Sequence, residues 1–495
     1  MAWARDRAHA ALLGIAALAS SAALFYFGTG ENPIWWATCL APLPLLLAAT
    51  RLPALAAFAS SATAYFLGSL NMLRYTRNIL ALPHGAHGVT PDSAWIAILL
   101  FMVLPACIFA TAVWLFRHYA KRGALWQAAL LFPALWTAYE FLSACISPHG
   151  TFGNLSYTQM DVLSFLQIAS VSGLWGIDFF LFLLPATLGA LLVTNGATAQ
   201  KRNLAFAVGA IIGLVYAFGM WRLQSVPSGA AYVRVGLIAS DLPSNVDISD
   251  PGNPTQRKLR DYLDSARPLI DQGARIVILP EKLGVTIPAT SQADDSLFQT
   301  FSNRGRTDVV VGLIRKSGHD LLNEARVYVP GRATALTYDK HHMLPAFESR
   351  LTPGKTTTLM SRPSGLWGVE VCKDMDFPAL SRDYGNDGIG LLLVAAWDFD
   401  DDAWLHDRMA VMRGVESGFT IVRAAKEGLL SASDDRGRIL AERSSASAPF
   451  ASLVVNVPVR HDPTFYDRFG DWFAWLDIAA LLGILAVLPW MRTRS

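Results

Sequence analysis

Three polar side chains of different chemical type follow predicted strands in the C-terminal half of the chain. Glu281 ends "RIVILPE", Lys340 follows "LTYD" and Cys372 follows "GLWGVEV". Strand ends commonly carry chemistry in α/β folds, because the strand fixes the side chain and the following loop opens a site. A carboxylate that takes a thiol proton, beside an ammonium that neutralises an oxyanion, predicts acyl transfer at a carbonyl. Singly, each residue has a structural alternative: a solvated cap, a surface charge and an inert buried thiol.

The elements that must position these side chains alternate between strand-like and helix-like patterns. Repeated alternation of this kind predicts an α/β layer architecture. The sequence predicts strands at 232–240, 275–281, 307–316, 388–397 and 419–425, helices at 254–272 and 403–417, a strand pair joined by the Pro330–Gly331 turn, and a hairpin at "SDDRGRIL".

The remainder of the chain has the composition of a membrane protein. The 495 residues are 53% apolar and only 16% charged, and the excess lies before about residue 225 and at the C-terminus. A bilayer-spanning helix needs roughly 20 mostly apolar residues. We expect a membrane domain over 1–225, a catalytic domain over 230–465 and a C-terminal transmembrane helix over 471–490. The candidate spans are 10–28, 34–49, 53–72, 94–116, 124–144, 164–193, 204–221 and 471–490.

Basic residues predict the orientation of these eight spans. Arg5, Arg51, Lys121 and Lys201, with their basic neighbours, fall on one side if every span crosses once. Because basic loops stay in the cytoplasm, both termini are expected there. The 230–465 domain would then face the periplasm of a Gram-negative inner membrane. A first helix that resembles a signal peptide is interpreted as uncleaved. The net charge of +2, without a basic stripe, gives no indication of a nucleic-acid partner.

Cysteine usage leaves one thiol unexplained. Cys39, Cys107 and Cys145 lie within or at the ends of apolar spans, where cysteine acts as a small buried hydrophobe. Cys372 is the single cysteine of the predicted exported domain, so it is either inert or reactive.

Short motifs around the three residues resemble a known family. "LPE" (279–281), "YDKHHMLPAFE" (338–348) and "EVCKD" (370–374) resemble the Glu-Lys-Cys segments of the nitrilase superfamily, in the same order. Together with a polytopic membrane half, they resemble apolipoprotein N-acyltransferases. "ALWTAYEFLSACISPHGTFGNLSYTQMD" and "WLHDRMAVMRGVES" are similar to further segments of that family. The resemblance covers nearly the whole chain.

The resemblance implies a fold, a reaction and its partners. The fold would be an αββα nitrilase sandwich joined to a multi-pass helical membrane bundle. Glu281 would deprotonate Cys372, Lys340 would hold the oxyanion, and Glu348 would be a supporting glutamate. A phospholipid would donate the acyl group, a diacylated lipoprotein would accept it, and membrane lipids would surround the bundle. No metal or organic cofactor is implied.

Several positions depart from the family pattern or have uncertain roles. Lys373 and Asp374 stand where the family usually has Tyr-Glu, and Ser143 stands where it commonly has arginine. The resemblance also implies that Lys340 favours the thiolate form of Cys372, with Lys373 as a second candidate. Trp397, Phe399 and Trp404 are candidates for an apolar wall along an acyl chain, although aromatic residues are more often core. Glu140 and Asp178 are intramembrane carboxylates, which suggests function or a polar pair.

A metal site is not favoured by the remaining polar clusters. His341 and His342 are adjacent, so they cannot both chelate one metal from a strand, and a solvated or substrate-loop role is the better interpretation. The aspartates at 398–402 lack EF-hand spacing, which favours a charged, solvated loop.

Two other functions remain open from the sequence. One is a membrane-tethered nitrilase-type amidohydrolase, in which water replaces the amine. The other is a non-catalytic lipid-binding scaffold.

Overall fold

A computed structural model describes residues 2–81, 96, 99–225, 231–345 and 347–486, and within them the chain divides into two units. One unit comprises Met1–Ser147, Gly153–Gln224 and Phe469–Ser495. The other comprises Pro148–Phe152 and Ser225–Arg468. The short segment 148–152 therefore groups with the C-terminal unit although it lies within the helical part of the sequence.

The first unit is helical throughout its described residues. Its helices bury alanine, leucine and phenylalanine against one another, around Phe109, Phe132 and Trp136. The α-helices are Ala2–Gly28, Trp35–Leu40, Leu43–Ala49, Ala54–Ser69, Leu73–Ala81, Leu104–Lys121, Leu125–Ile146, Leu163–Leu166, Ala169–Ser172, Leu174–Val193, Thr198–Gln224 and Trp472–Ala486, with a π-helical turn at Leu99–Val103 and 3₁₀ turns at Leu70–Met72 and Leu155–Gln159.

Five helices among the described residues are long and apolar enough to cross a membrane. They confirm a multi-pass helical bundle, but the predicted count of eight is not confirmed. The five spans are Ala11–Gly28, Leu99–Lys121, Leu125–Ile146, Leu174–Val193 and Thr198–Gln224.

The other three predicted spans are shorter in the structure. The 34–49 span is two helices of six and seven residues. The 53–72 span contains a 16-residue helix. The C-terminal helix Trp472–Ala486 is 15 residues long, and 487–490 lie outside the described residues.

The second unit contains two mixed β-sheets. The first sheet has the order β13-β1-β2-β4-β5-β6, with β3 paired to β4, and the second has the order β12-β11-β10-β9-β8-β7. The strands are β1 (Ala231–Ala239), β2 (Ile276–Ile278), β3 (Val285–Thr286), β4 (Asp308–Ser317), β5 (Asp320–Tyr328), β6 (Leu336–Asp339), β7 (Leu359–Arg362), β8 (Gly365–Val371), β9 (Leu391–Trp397), β10 (Thr420–Lys426), β11 (Leu429–Ser433), β12 (Ile439–Ser444) and β13 (Ala451–Val459).

The two sheets pack face to face. Val235, Ile276 and Val310 of the first sheet share one buried cluster with Val369 and Leu393 of the second. β1, β2 and β4 are mutually parallel, as are β8, β9 and β10. Parallel strands buried on both faces are rich in β-branched and leucine residues, as these strands are.

Helices cover the outer face of each sheet. Asn253–Asp271 and Pro288–Gly305 pack on the first sheet, and Pro378–Asp387 and Ala403–Ser417 pack on the second. The predicted αββα sandwich is therefore confirmed. The unit's other helical segments are Pro243–Val246 and Phe465–Phe469, with 3₁₀ turns at Cys372–Asp376 and Ser445–Ser447.

Candidate active site

Glu281 lies at the centre of a buried polar cluster just beyond β2. Its backbone N–H donates to the carbonyl of Ala396 in β9, at 3.2 Å. Its side chain is 1% exposed, and Oε1 accepts a hydrogen bond from Asn323 Nδ2 at 2.5 Å. Oε2 is buried and has no hydrogen-bond partner within the described residues. One carboxylate oxygen is thus anchored and the other is available to a reacting group.

Lys340 follows β6 and joins Glu281 to a second carboxylate. Its backbone N–H donates to Asn323 O at 2.8 Å, which fixes the start of the loop after β6. Its Nζ lies 2.9 Å from Glu281 Oε1 and 2.9 Å from Glu348 Oε2. The lysine is 1% exposed, so its charge is balanced by these carboxylates and not by water.

Glu348 is held from three further directions. Its Oε2 accepts from the backbone N–H of Leu344 at 2.7 Å. Its Oε1 accepts from Asn323 Nδ2 at 2.9 Å and from Lys282 Nζ at 2.6 Å. Like Glu281, it is buried, at 2% exposure. The structure therefore gathers two carboxylates and two ammonium groups around one asparagine.

Cys372 lies at the junction between β8 and the following 3₁₀ turn. Its φ of 45° is left-handed, a conformation that is strained for a residue with a Cβ. The half-buried thiol donates to the carbonyl of Trp397, at a sulfur–oxygen distance of 3.3 Å. A sharp turn of this kind presents a side chain away from the sheet, as nucleophile elbows do in other α/β enzymes.

The charges around the thiol determine its protonation. Burial raises the pKa of the Cys372 thiol above its ordinary value, and the charge of Glu281 raises it further, while Lys340 opposes both. Lys340 therefore favours the thiolate, as expected, but burial outweighs the ammonium. Burial also opposes ionisation of Glu281, but Lys282 and Lys340 outweigh it and lower the pKa of that carboxyl. The arrangement at neutral pH is a neutral thiol beside a charged carboxylate.

The turn after Cys372 is fixed by its own charged residues. Asp374 accepts hydrogen bonds from Tyr338 Oη at 2.7 Å and from the backbone N–H of His342 at 2.8 Å. Because Tyr338 belongs to β6, this carboxylate links the loop that carries Lys340 to the turn that carries Cys372. The Lys373 ammonium, a second candidate to favour the Cys372 thiolate, instead pairs through its Nζ with Asp376 at 2.7 Å.

His342 is held by its neighbours and not simply solvated, and its expected substrate-loop role stays a prediction. Its ring stacks on Phe377 with centroids 3.7 Å apart, and its Nδ1 lies 3.0 Å from Asp374 Oδ1.

The predicted aromatic wall lies partly at the thiol. The carbonyl of Trp397 contacts Cys372, and the indole N–H donates to Glu427 at 2.7 Å. Phe399 contacts Phe347 with ring centroids 5.4 Å apart. Trp404 lies at the start of Ala403–Ser417, where its ring contacts the guanidinium of Arg408 at 5.4 Å. Contact of these aromatic side chains with an acyl chain stays a prediction.

The acidic loop at 398–402 is not simply solvated, which corrects the sequence-based interpretation. Asp398 and Asp402 are fully buried. Asp398 pairs with Arg423 through both carboxylate oxygens, and Asp402 lies 3.1 Å from His406 Nδ1. The first pair joins the residue after β9 to β10, and the second lies at the start of the helix Ala403–Ser417.

Glu140 belongs to the helical unit and not to this cluster. It accepts a hydrogen bond from Asn154 Nδ2 at 3.3 Å, and the same amide donates to Asp178 at 2.8 Å. The two carboxylates therefore share a polar neighbour, which is the structural alternative considered above. A substrate contact for Glu140 stays a prediction.

Sequence reasoning missed Lys282 and Asn323. Lys282 directly follows Glu281, so adjacency was a signal for it. Asn323 is an amide in the buried part of β5, and a buried amide needs partners.

Comparison with known proteins agrees with the two-part organisation. The family model for the apolipoprotein N-acyltransferase N-terminal domain matches residues 21–187, and the carbon-nitrogen hydrolase model matches 253–458. An apolipoprotein N-acyltransferase of Geobacter metallireducens is 26% identical over 95% of this chain and 93% of its own length. One from Shewanella oneidensis is 24% identical over 82% of this chain and 83% of its own length. The chain belongs to the apolipoprotein N-acyltransferase family.

Two solved structures that are similar to this family member each cover about half of its chain. An amidase from Nesterenkonia sp. is 21% identical, covers 52% of this chain and 99% of its own, and has a TM-score of 0.40. A nitrilase-superfamily member from Saccharomyces cerevisiae is 16% identical, covers 47% of this chain and 93% of its own, and has a TM-score of 0.38. The family assignment therefore rests on the sequence matches.

Proposed function

We propose that this protein transfers a fatty acyl group from a phospholipid, through a thioester on Cys372, to the N-terminal α-amino group of a diacylglyceryl-cysteine lipoprotein. The observation that carries the proposal is the joining, on one chain, of an apolipoprotein N-acyltransferase N-terminal domain to a hydrolase-type domain with a buried Glu-Lys-Cys cluster. The curated relatives that cover most of the chain carry the same enzyme name.

In the first half-reaction the thiol becomes acylated. The free Oε2 of Glu281 accepts the thiol proton as Cys372 sulfur attacks the ester carbonyl. Lys340 stabilises the resulting oxyanion with its positive charge. The ester C–O bond then breaks, and the lysophospholipid alcohol leaves with the proton that Glu281 held.

In the second half-reaction the acceptor amine attacks the thioester. Glu281 now takes a proton from the amine nitrogen, which forms the amide bond as the carbon–sulfur bond breaks. The sulfur leaves as a thiolate and regains a proton from Glu281. Burial of Glu281 and Lys340 keeps water from competing for their charges, which strengthens both interactions.

The same proposal includes location and domain boundaries. The membrane part covers 1–225, with the C-terminal helix 471–490, and the catalytic part covers 230–465. The basic residues near the span ends support a bacterial inner-membrane protein with its catalytic domain in the periplasm. A bundle in the bilayer gives two lipid substrates a lateral route that a soluble enzyme lacks.

Mass spectrometry of protein purified from membranes tests the proposal. We expect a fatty acyl adduct on Cys372 that hydroxylamine removes, because a thioester that waits for an amine must persist. Adding a diacylglyceryl-cysteine peptide is expected to discharge the adduct far faster than buffer does and to yield a triacylated peptide. An adduct lost at the same rate with and without the peptide would contradict acyl transfer and favour the amidohydrolase.

A further inference from the structure

Lys282 gives the candidate site a second buried ammonium. Its Nζ lies 2.6 Å from Glu348 Oε1 and 3.7 Å from Glu281 Oε1. Lys340 contacts the same two carboxylates. The two lysines therefore hold Glu281 and Glu348 between them, and Asn323 donates to both carboxylates.

The charge count of this cluster depends on Lys282. Glu281, Glu348, Lys340 and Lys282 together carry no net charge when all are ionised. Without Lys282 the same buried group would carry one negative charge. A buried carboxylate pair with a single cation binds a proton at higher pH than a balanced pair does, because one carboxylate is then left unpaired. A proton held there would occupy the base that must accept one from Cys372.

The backbone at Lys282 is strained in a way that favours glycine. Its φ is 53°, in the left-handed region. A side chain with a Cβ is disfavoured in this region. The chain places lysine at this position, directly after Glu281, and the conformation turns its buried ammonium toward Glu348. The Trp397 ring lies 5.2 Å from the ammonium and leaves it little contact with water.

We propose that Lys282 is a positioning residue that keeps Glu281 ionised and so sets the lowest pH at which Cys372 can be activated. The inference rests on the proposed role of Glu281 as the base. It does not depend on which acyl acceptor the protein uses.

The other groups facing Glu281 do not replace this charge. Lys340 is present in either case, and Cys372 is a neutral thiol at rest. Lys426 also interacts with Glu281, but burial is the largest cause that lowers its pKa well below its ordinary range, and burial remains when Lys282 is replaced. Its Nζ donates to the carbonyls of Val246 and Lys282.

Alkylation of Cys372 by iodoacetamide tests the proposal without any lipid. The full chain is used, with Cys39, Cys107 and Cys145 replaced by alanine, and the rate is measured from about pH 5 to about pH 9. In Lys282→Met we expect the acid limb of the profile, where the alkylation rate falls as Glu281 becomes protonated, to shift to higher pH by about one to three pH units. The rate near pH 6 should fall roughly 10-fold or more.

Three controls separate charge from folding. Lys282→Arg keeps the charge and should retain the wild-type limb. Lys282→Met combined with Glu348→Gln restores a neutral cluster and should return the limb toward wild type even if the absolute rate is lower. Lys316→Met removes an exposed lysine from β4 and should leave the profile unchanged.

Two outcomes would overturn the proposal. The first is a Lys282→Met profile that overlays the wild type. The second is a shift that the double substitution does not reverse. If instead these profiles behave as expected but no acyl adduct forms on Cys372 from phospholipid, the acyltransferase function fails while the role of Lys282 stands.

Discussion

The two oxygens of Glu281 have different tasks. Oε1 is occupied by Asn323 and Lys340, whereas Oε2 is buried without a partner in the described part of the chain. An unsatisfied buried carboxylate oxygen costs free energy, so its retention fits a place where a proton must arrive. Glu348, in contrast, uses both oxygens on lysines and backbone, as expected of a residue that positions others.

This difference predicts an order among substitutions. Cys372→Ala should abolish acyl-enzyme formation. Glu281→Gln should slow it by roughly 10²–10⁴-fold, the usual contribution of a general base. Glu348→Gln should slow it less, because Lys340 keeps its contact with Glu281. Single-turnover acylation by a phospholipid measures all three, and a Glu348→Gln loss as large as that of Glu281→Gln would contradict the assignment.

At this scale the sequence predicts individual residues well when a motif contains them. Glu281, Lys340, Cys372 and Glu348 were predicted from short motifs. The structure places Lys340 in contact with both glutamates, and their catalytic roles stay predictions. The place of Lys282 in the cluster and the raised pKa of the Cys372 thiol were not predicted. Both depend on burial, which arises from residues distant in sequence.

Among the secondary-structure elements, β4 passes very close to the turn that carries Glu281. A Cβ at Gly312 would lie 2.4 Å from the Cα of Glu281 and 2.8 Å from the carbonyl of Pro280. Backbone atoms cannot move aside as a flexible side chain can. The absence of a side chain at Gly312 therefore sets the position of the base.

Substitution of Gly312 tests this contact. Gly312→Ala should lower the free energy of unfolding by about 1–3 kcal/mol through overpacking. It should also slow acylation, since a displacement near 1 Å in an active site can cost about 100-fold. Thermal unfolding and single-turnover acylation measure the two effects. Gly209→Ala is the control because a Cβ at Gly209 meets nothing within 4 Å; equal behaviour of the two variants would contradict the argument.

The elements themselves were predicted better than their arrangement. Strands such as β4 and β9 were located to within a few residues, because runs of valine and leucine bounded by glycine or charge are typical of buried strands. The order of strands in each sheet could not be predicted, since it depends on pairings between distant segments. The grouping of residues 148–152 with the C-terminal unit was also not predicted. Thr151 N–H donates to the carbonyl of Asp376 at 2.9 Å.

For the whole molecule, the proposed orientation depends on the basic residues and the number of spans. Helix length alone supports five spans, so the shorter helices within 34–49, 53–72 and 471–490 decide whether the count reaches eight. The sequence located the apolar segments but not the positions at which their helices are interrupted. Such an interruption depends on local backbone conformation, as at Gly173 within the predicted span 164–193. Gly173 has a φ of 64° at the start of Leu174–Val193.

Labelling of single cysteines tests the orientation. In a chain whose four native cysteines are replaced, Ser317→Cys places a thiol on an exposed turn of the C-terminal unit. We expect a membrane-impermeant maleimide to label it in cells with a permeabilised outer membrane. Ala197→Cys, beside Lys201, should react only after the inner membrane is also opened. The reverse pattern would contradict the periplasmic placement.

The base and the nucleophile come from different sheets. Glu281 and Lys340 follow β2 and β6, whereas Cys372 follows β8, so the site exists only while the two sheets remain in contact. During denaturation, any partly unfolded state in which the sheets separate would keep its strands and helices but would no longer hold Glu281 and Lys340 beside Cys372. Acylation of Cys372 by a phospholipid should therefore be lost at a lower denaturant concentration than the far-ultraviolet circular dichroism signal, which makes this reaction a measure of the packing between the sheets.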